Sequence, residues 1–293
     1  MASHSSPMRI GIFGAGAIGQ MVARHIDEGH LNAVLSGIAD ADHPKAAALN
    51  ASLRSAPPIL DLDELLDRSD WIVEAASQAA LPTLIPEVLA HRKNVLVMSV
   101  GGLLGRDDWF REAASRGCRI LFPSGAIAGL DGLRAACVGR MESVTLTSRK
   151  PVCTLAGSPF ISAQGIQLKE LTEDTVVFDG SAADAARAFP ATSNVAAALA
   201  LTVGDRCEVR VRVVASPQGV RNIHEIEACG EFGSLRLLCE NVPSEANPKT
   251  SKLAALSALA TLATIADAPL AAQSAPAPHA ATPSLSIPAT AWK

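Results

Sequence analysis

Two hydrophobic patterns alternate along the first part of the chain. The residues at 9–13 form an apolar run that ends in glycines, which predicts a buried strand. Ile18, Val22 and Ile26 then recur at helical spacing, which predicts a helix directly after it. The same reasoning predicts strands at 33–39, 71–75, 94–98 and 119–122, and helices at 45–53, 61–66, 81–91 and 107–116. Strands that alternate with helices predict a Rossmann-type, doubly wound parallel sheet of the α/β class.

The pattern changes after Pro123. Val209, Val211 and Val213 alternate with charged residues, which predicts a strand with one buried face and one solvent face. The segments 223–228 and 234–239, joined through glycines, predict a hairpin, and helices are expected at 182–189 and 194–201. The second part is therefore predicted to be an α+β domain with a mixed, partly antiparallel sheet.

These changes of pattern also predict the domain boundaries. We expect a nucleotide-binding domain at 8–123, a second domain at 124–246, and a C-terminal helix at 247–266 that packs back on both. Leucines at helical spacing mark that helix. The tail at 267–293 consists mainly of Ala, Pro, Ser and Thr, and we expect it to be disordered because it has too little apolar surface to bury.

Composition narrows the possible functions. The net charge of −4 gives no reason to expect binding to nucleic acid or to an anionic membrane. The chain starts without an apolar signal segment, and its longest apolar stretch is too short to span a bilayer, so we expect a cytoplasmic protein. The six cysteines show no CxxC spacing, which predicts reduced, buried thiols and no metal site. The absence of Tyr excludes mechanisms that use a Tyr general acid.

A glycine motif follows the first predicted strand. Gly14, Gly16 and Gly19 form GxGxxG, in which the glycines allow a tight turn, close approach of a pyrophosphate, and helix–strand packing. Ala17 and Ile18 open the helix whose free N–H groups would face the phosphates. The motif in this context predicts a dinucleotide-binding site.

An acidic residue extends this prediction to the choice of cofactor. Asp40 ends the next predicted strand, where its carboxylate would bind the adenosine ribose hydroxyls and repel a 2′-phosphate. No Arg follows at 41–43, so NAD is favoured, while the nearby Lys45 leaves NADP possible. Ala76 and Ser77, after the third strand, are expected to form a second wall of the cofactor site, because ligands bind at the carboxyl ends of parallel strands.

Candidate chemistry in the second domain centres on three places. His224 is the one His of this domain, and it is either an acid–base group or a packed core residue. Asn194 opens a predicted helix, as a cap, a cofactor contact or both. The segment 249–252 places hydroxyls and cations at a helix start, either as a carboxylate site or as a solvated cap.

Several sequence blocks together resemble the L-aspartate dehydrogenase family over roughly 8–266. The blocks are Gly14-Ala-Gly-Ala-Ile-Gly19, Glu74-Ala-Ala-Ser77, Pro123-Ser-Gly-Ala-Ile-Ala-Gly-Leu-Asp-Gly132, Phe178-Asp-Gly180, Phe189-Pro190, Ser193-Asn-Val-Ala-Ala197, Asn222-Ile-His224 and Asn247-Pro-Lys-Thr-Ser251. The resemblance implies oxidation of L-aspartate with NAD or NADP to iminosuccinate. That imine would hydrolyse to oxaloacetate and ammonia or feed NAD biosynthesis.

The same resemblance implies roles for individual residues. Ala126 and Asn194 match NAD-binding positions, His224 matches the active-site His, and a homodimer through the second domain is implied. The two substrate carboxylates need cationic or polar partners, which we expect among Lys150, Lys249, Thr250, Ser251 and Lys252. Two alternatives remain open at this point: another two-domain NAD(P)-dependent reductase or dehydrogenase, and a non-catalytic NAD-binding regulator.

Overall fold

A computed structural model describes residues 6–190, 192–244 and 250–267. Its first half is a parallel sheet with helices between the strands. The elements are β1 (Met8–Phe13), α1 (Ala17–Asp27), β2 (Ala33–Ala39), α2 (His43–Ala51), α3 (Leu62–Arg68), β3 (Trp71–Glu74), α4 (Leu81–Ala90), β4 (Asn94–Val97), α5 (Asp107–Arg116) and β5 (Ile120–Leu121).

The first sheet has the strand order β2-β1-β3-β4-β5, and every pairing is parallel. Ile10 and Ile12 of β1 pack with helices α1 and α2 on one face, while Ile72 and Val95 pack with α4 and α5 on the other. The chain passes from β1 to β2 on one side and then to β3 on the other side of β1. Such a reversal between β1 and β3 opens a ligand crevice at the carboxyl ends of these strands. The doubly wound fold predicted from the sequence is confirmed.

The second half is built around another sheet of five strands. Its elements are α6 (Leu130–Ala136), β6 (Met141–Pro151), α7 (Val152–Leu155), α8 (Pro159–Ala163), β7 (Thr175–Ser181), α9 (Ala182–Ala188), α10 (Asn194–Val203), β8 (Val209–Ser216), β9 (Asn222–Gly230), β10 (Gly233–Asn241) and α11 (Lys252–Asp267). The order is β10-β9-β6-β8-β7, with β6 and β8 parallel and the other pairs antiparallel. The predicted hairpin is β9–β10, and the predicted mixed sheet is confirmed.

Two strands of this sheet, β6 and β7, were absent from the sequence prediction. Strand β6 is the central strand, and its residues alternate between a buried and a more exposed face. The buried face carries Val144 and Leu146 but also Ser148 and Lys150, so the apolar alternation breaks off halfway along the strand. Polar residues on a buried face are expected mainly at functional sites, where a sequence departs from the regular pattern.

Helix α10 lies between the two sheets and is buried on both sides. Ala197 and Ala198 pack into the core below the first sheet, whereas Ala196 and Leu199 belong to the core of the second. Gln78 of the first half also donates a hydrogen bond to the carbonyl of Pro190 at 2.7 Å. The residue boundaries of the two domains remain predictions.

The C-terminal helix returns to the first sheet. Leu259, Leu262 and Ile265 of α11 join the core formed by β1 and α1, while Leu253 and Leu256 stay exposed. The expected helix start at 247–248 lies outside the described residues, and so does the predicted tail at 267–293 except for Asp267, which ends α11. Within the described part of the chain, no helix is long and apolar enough to cross a membrane.

All six cysteines are free thiols, but not all are buried. Cys118 is buried, whereas Cys153 and Cys229 are exposed. The expectation of buried thiols is therefore wrong for these two. Cys229 lies on the outward face of β9, because side chains alternate between the two faces of a strand.

Candidate functional site

The glycine turn between β1 and α1 depends on the absence of side chains at two positions. Gly14 has a φ of +107°, and a Cβ there would lie 2.6 Å from the backbone nitrogen of Ala76. A Cβ on Gly19 would lie 1.9 Å from the carbonyl oxygen of Gly14. These glycines thus let the turn pack against the end of β3 and let α1 pack against the turn.

Gly16 differs from Gly14 and Gly19 because a Cβ atom there would clash with nothing. A Cβ on Gly16 would lie 3.6 Å from the carbonyl oxygen of Ala75, an ordinary contact, with no other atom within 4 Å. Gly16 is the N-cap of α1 and makes no side-chain capping bond, so the N–H groups at Ala17 and Ile18 open the helix beside this space. The turn has the shape of a cradle for an anionic group.

A matched pair of substitutions tests this cradle. We expect Gly16→Ala to fold with a melting temperature close to that of the wild type but to weaken NAD binding at least about tenfold, because the methyl group enters the space for the pyrophosphate. Gly19→Ala should instead lower the free energy of unfolding by about 1–3 kcal/mol or more through overpacking. Calorimetric NAD titration and thermal unfolding measure the two effects. Unchanged NAD affinity in Gly16→Ala would contradict the assignment.

Asp40 lies directly after β2 and braces the turn. Its Oδ2 accepts a hydrogen bond from the Ala15 nitrogen at 2.6 Å, and its Oδ1 accepts one from the Asp42 nitrogen at 2.7 Å. The carboxylate is therefore held at the carboxyl edge of the sheet, where the sequence placed a ribose contact.

A buried carboxyl group organises the neighbouring strand ends. Glu74, the last residue of β3, is fully buried, and it accepts hydrogen bonds from the Ala76 nitrogen at 2.9 Å and from the Ser99 nitrogen and hydroxyl at 2.9 and 2.8 Å. Burial raises the pKa of Glu74, while these donors favour its charged form. The bonds fix Ala76, and with it Ser77, beside Gly14. In the sequence, Glu74 stands at the start of the block Glu74-Ala-Ala-Ser77, where no role was predicted for it.

A cavity of about 660 Å³, part of it open to solvent, lies between the two halves of the chain. It is lined by Ile18, Met98, Val100, Pro123, Gly125, Ala126, Lys150, Thr192, Asn194, Val195, Ala198, Asn222, His224, Thr250, Ser251 and Ala254. Small-molecule sites are typically concave clefts in which a few polar groups stand in an apolar lining, as here. Lys150 and His224 are the titratable side chains of this lining.

His224 is buried in the wall of the cavity. Its side chain is 3% exposed, and Nδ1 lies 2.8 Å from the hydroxyl oxygen of Ser148, the residue directly opposite on β6. Burial lowers the pKa of His224 to about 3, with a smaller contribution from the positive charge of Lys150. The ring is therefore neutral at physiological pH in the ligand-free protein, whereas an unperturbed His has a pKa of about 6.5.

Lys150 is a buried cation without an anionic partner. It is 5% exposed, and no carboxylate of the described residues lies within salt-bridge distance of it. Burial lowers the pKa of Lys150 to about 8. A buried and unpaired ammonium group is unfavourable in the free protein, and an anionic ligand would compensate it.

Asn194 and Ala126 connect the cavity to both halves of the chain. Asn194 Oδ1 accepts a hydrogen bond from the Gly101 nitrogen at 3.1 Å, and the Ala126 carbonyl accepts one from Asn241 Nδ2 at 2.9 Å. The cap position of α10 is Ser193, which makes no side-chain capping bond. The interpretation of Asn194 as a side-chain cap is therefore wrong, because its side chain accepts a hydrogen bond from Gly101 in the first half of the chain instead.

The segment before α11 supplies only part of the expected carboxylate site. Thr250 and Ser251 line the cavity, whereas Lys252 begins α11, is exposed and is not part of the lining. Lys249 lies outside the described residues. Ser251 is held in place by a β-bridge to Pro243.

Three further residues belong to this site. Asn222 lines the cavity, is buried, and has a side-chain oxygen without a hydrogen-bond partner among the described residues. Ser148 contacts His224, and Thr192 lines the cavity beside Asn194. Asn222 could have been found from its place two residues before His224 on one strand face. Ser148 carried no such signal, because β6 was not predicted. Among the described residues, no group of His, Cys, Asp or Glu could hold a metal ion.

The chain matches two family models, one over the first sheet and one over the second. Residues 131–265 match the family model described as the C-terminal domain of aspartate dehydrogenase. Residues 14–123 match the model described as the NAD-binding domain of homoserine dehydrogenase.

Individual relatives match most of the chain. The L-aspartate dehydrogenase of Methanosarcina barkeri is 44% identical over 252 residues, which cover 85% of this chain and 93% of that protein. The L-aspartate dehydrogenase of Methanocella arvoryzae is 46% identical over 250 residues, with 84% and 93% covered. Among solved structures, the aspartate dehydrogenase of Thermotoga maritima superimposes with a TM-score of 0.66 at 26% identity, covering 88% of this chain and 96% of that one.

Proposed function

The chain belongs to the L-aspartate dehydrogenase family, and we propose that the cavity containing His224 and Lys150 is where it oxidises L-aspartate to iminosuccinate. The observation that carries this assignment is the pairing of a neutral imidazole with an unpaired, buried ammonium group in one cavity next to the glycine turn. A substrate with a carboxylate and an ionisable amine matches both groups.

The glycine turn fits NAD as the cofactor. The open space beside Gly16 would accept a pyrophosphate, and Asp40, held against the turn by the Ala15 nitrogen, would bind the adenosine ribose. We propose that Gly14, Gly16, Ala17, Ile18, Gly19, Asp40, Ala76, Ser77, Ala126 and Asn194 hold the cofactor. When bound, the nicotinamide ring supplies the acceptor for the hydride that leaves the substrate Cα.

The cavity supplies separate groups for the two ends of aspartate. Lys150 would bind one carboxylate, because the substrate charge offsets the cost of burying the ammonium group. Thr250 and Ser251 line the same cavity, and their hydroxyls would bind carboxylate oxygens. Lys249, outside the described residues, stays a candidate for the other carboxylate, whereas Lys252 is exposed and does not line the cavity.

His224 would handle the proton. The ammonium form of aspartate must lose a proton from nitrogen before the lone pair can form a C=N bond as hydride leaves Cα, and a neutral imidazole would accept that proton. The iminosuccinate product can then add water and split into oxaloacetate and ammonia. The apolar lining from Met98, Val100 and Val195 would limit the access of bulk water during the first step.

The carboxylate of Asp40 also predicts the cofactor preference. We expect Asp40→Ala to weaken NAD binding by about 1.5–3 kcal/mol and to raise the relative use of NADP, because a ribose hydrogen bond and the repulsion of a 2′-phosphate are both lost. Since Asp40 also braces the turn, Asp42→Ala serves as the control for general loosening. The kcat/KM values for both cofactors measure the effect. A preference ratio that stays the same in Asp40→Ala would remove Asp40 from this role.

A substrate panel tests the function itself. Purified protein with NAD is offered a range of L-amino acids, and formation of reduced cofactor is followed by absorbance. We expect turnover with L-aspartate well above that with L-glutamate, L-asparagine or L-homoserine. Turnover with another amino acid instead would favour another dehydrogenase, and NAD binding without any turnover would favour the regulator.

We further propose a homodimer in the cytoplasm. The outward face of the second sheet leaves Val176 and Leu238 more than half exposed, among cross-strand ion pairs such as Arg210 with Asp179. These two residues lie on the opposite edge strands β7 and β10, so the proposal of a homodimer through this domain rests on the family resemblance, and Leu238 gives a place to test it. Sedimentation velocity of the wild type and of Leu238→Glu tests the dimer, which should dissociate in the variant.

A further inference from the structure

The hydrogen bond between Ser148 and His224 connects two central strands of the second sheet. The register of β6 and β9 places these residues directly opposite each other, and their side chains meet at 2.8 Å on the buried face. Ser148 is 5% exposed and does not line the cavity, so it cannot reach a ligand there. Its contact with the cavity is made through His224.

This arrangement distinguishes the two ring nitrogens. Nδ1 is occupied by Ser148, and no hydrogen bond joins Nε2 to any residue that the structure describes. Nε2 is therefore the nitrogen available to a ligand in the cavity. A ring that gains a proton at Nε2 carries hydrogens on both nitrogens, and the buried Nδ1–H then requires an acceptor.

Among the described residues around His224, Ser148 is the one placed to accept a hydrogen bond from Nδ1–H. The titratable groups on the same sheet face near His224 are Lys150 on β6 and Cys239, opposite His224 on β10. The cavity residues from α10, from 123–126 and from 250–254 are uncharged. A serine hydroxyl accepts a hydrogen bond without adding a charge, so it supports proton uptake but does not hold the ring permanently protonated, as a carboxylate would.

We propose that Ser148 is a positioning residue for the reaction: it holds the His224 ring with Nε2 toward the cavity and accepts the Nδ1 hydrogen when Nε2 takes up the substrate proton. The inference rests on the proposed function, in which His224 is the acid–base group. Ser148 would thus take part in the reaction through His224, although it neither touches the substrate nor lines the cavity.

Three substitutions of Ser148 separate this role from packing. Ser148→Ala should lower kcat about tenfold to a hundredfold, with little change in NAD affinity or in the KM for aspartate, because orientation and proton uptake are affected and binding is not. Ser148→Thr keeps the hydroxyl and should restore most of the rate. Ser148→Asp should raise the pKa of His224 and introduce an inflection in the pH profile of kcat that the wild type lacks.

A spectroscopic measurement provides a readout that packing would not change. The ¹⁵N chemical shifts of His224, assigned by comparison with His224→Gln, should show a protonated Nδ1 in the complex with NAD and the unreactive dicarboxylate succinate. Ser216→Ala serves as the matched control, because Ser216 is also buried in this sheet but does not line the cavity. It should keep the wild-type kcat, and thermal unfolding shows whether each variant is folded.

Either of two outcomes would overturn the inference. They are a folded Ser148→Ala with kcat within about twofold of the wild type, or an unprotonated Nδ1 in the succinate complex. If His224→Ala is impaired while Ser148→Ala is not, only this inference fails. If His224→Ala is also unimpaired, the proposed function of the site fails with it.

Discussion

Replacement of His224 by alanine is expected to lower kcat for aspartate oxidation by about 10²- to 10⁴-fold, the usual contribution of a positioned acid–base group. NAD affinity should be preserved, because the glycine turn at Gly14, Gly16 and Gly19 belongs to the other half of the chain. If His224 were only a packed core residue, the variant would lose stability but keep its activity per folded molecule. Turnover and thermal unfolding measured on the same sample distinguish the two cases, and near-normal turnover would refute the catalytic role.

The pH dependence provides a second check on His224. Because burial lowers its pKa to about 3, the ring is already neutral throughout the usual assay range. The kcat/KM profile of the wild type, which reports the free enzyme, should therefore show no inflection from this ring at mildly acidic pH. This differs from the expectation based on an unperturbed His, which would produce a rise through about pH 6.5.

Replacement of Lys150 by methionine is expected to lower kcat/KM for aspartate by about 10²- to 10³-fold, mainly through KM, because the substrate carboxylate loses its buried cationic partner. NAD binding should change little. Lys169→Met is the matched control, since Lys169 is exposed and does not line the cavity. A KM for aspartate within about threefold of the wild-type value in the Lys150 variant would exclude this contact.

The same substitution should make the ligand-free protein more stable. Lys150 has a pKa of about 8 in the fold. It returns to about 10.4 on unfolding, so the buried charge destabilises the native state at neutral pH by roughly 3 kcal/mol. This penalty is complete below about pH 8 and disappears as the pH rises toward about 10.4. We therefore expect Lys150→Met to unfold at a higher temperature than the wild type at pH 7, with the difference shrinking at alkaline pH. A lower melting temperature at pH 7 would contradict the unpaired charge.

Catalysis should respond to the same titration. If Lys150 binds the substrate carboxylate as proposed, it does so in its protonated form, so kcat/KM for aspartate should fall above about pH 8 relative to the rise that deprotonation of the substrate amine produces. Substrate binding would in turn raise the pKa of Lys150, since the bound carboxylate stabilises the ammonium form. Comparison of the wild-type and Lys150→Met profiles isolates this contribution.

The local sequence was sufficient to predict the first sheet and its cofactor turn. Strand 33–39 and helix 107–116 were predicted with the bounds that the structure gives them, and GxGxxG followed by Asp40 identified the turn. These features depend on short-range properties: apolar runs, helical periodicity and the special backbone freedom of glycine. His224 and Asn194 could likewise be identified, the first as the one His of its domain and both through the family resemblance.

The arrangement of the reaction site was decided by the tertiary structure. Ser148 and Lys150 could not be connected with His224 from the sequence, because β6 carries polar residues on its buried face and its pattern does not predict a strand. Only the β6–β9 register brings Ser148 to His224, and only burial in the cavity wall makes Lys150 an unpaired cation and lowers the pKa of the imidazole. Hydrophobic periodicity reports which residues leave water, whereas the protonation and the partners of a buried polar group depend on residues distant in the sequence, and these are determined only when the sheet forms.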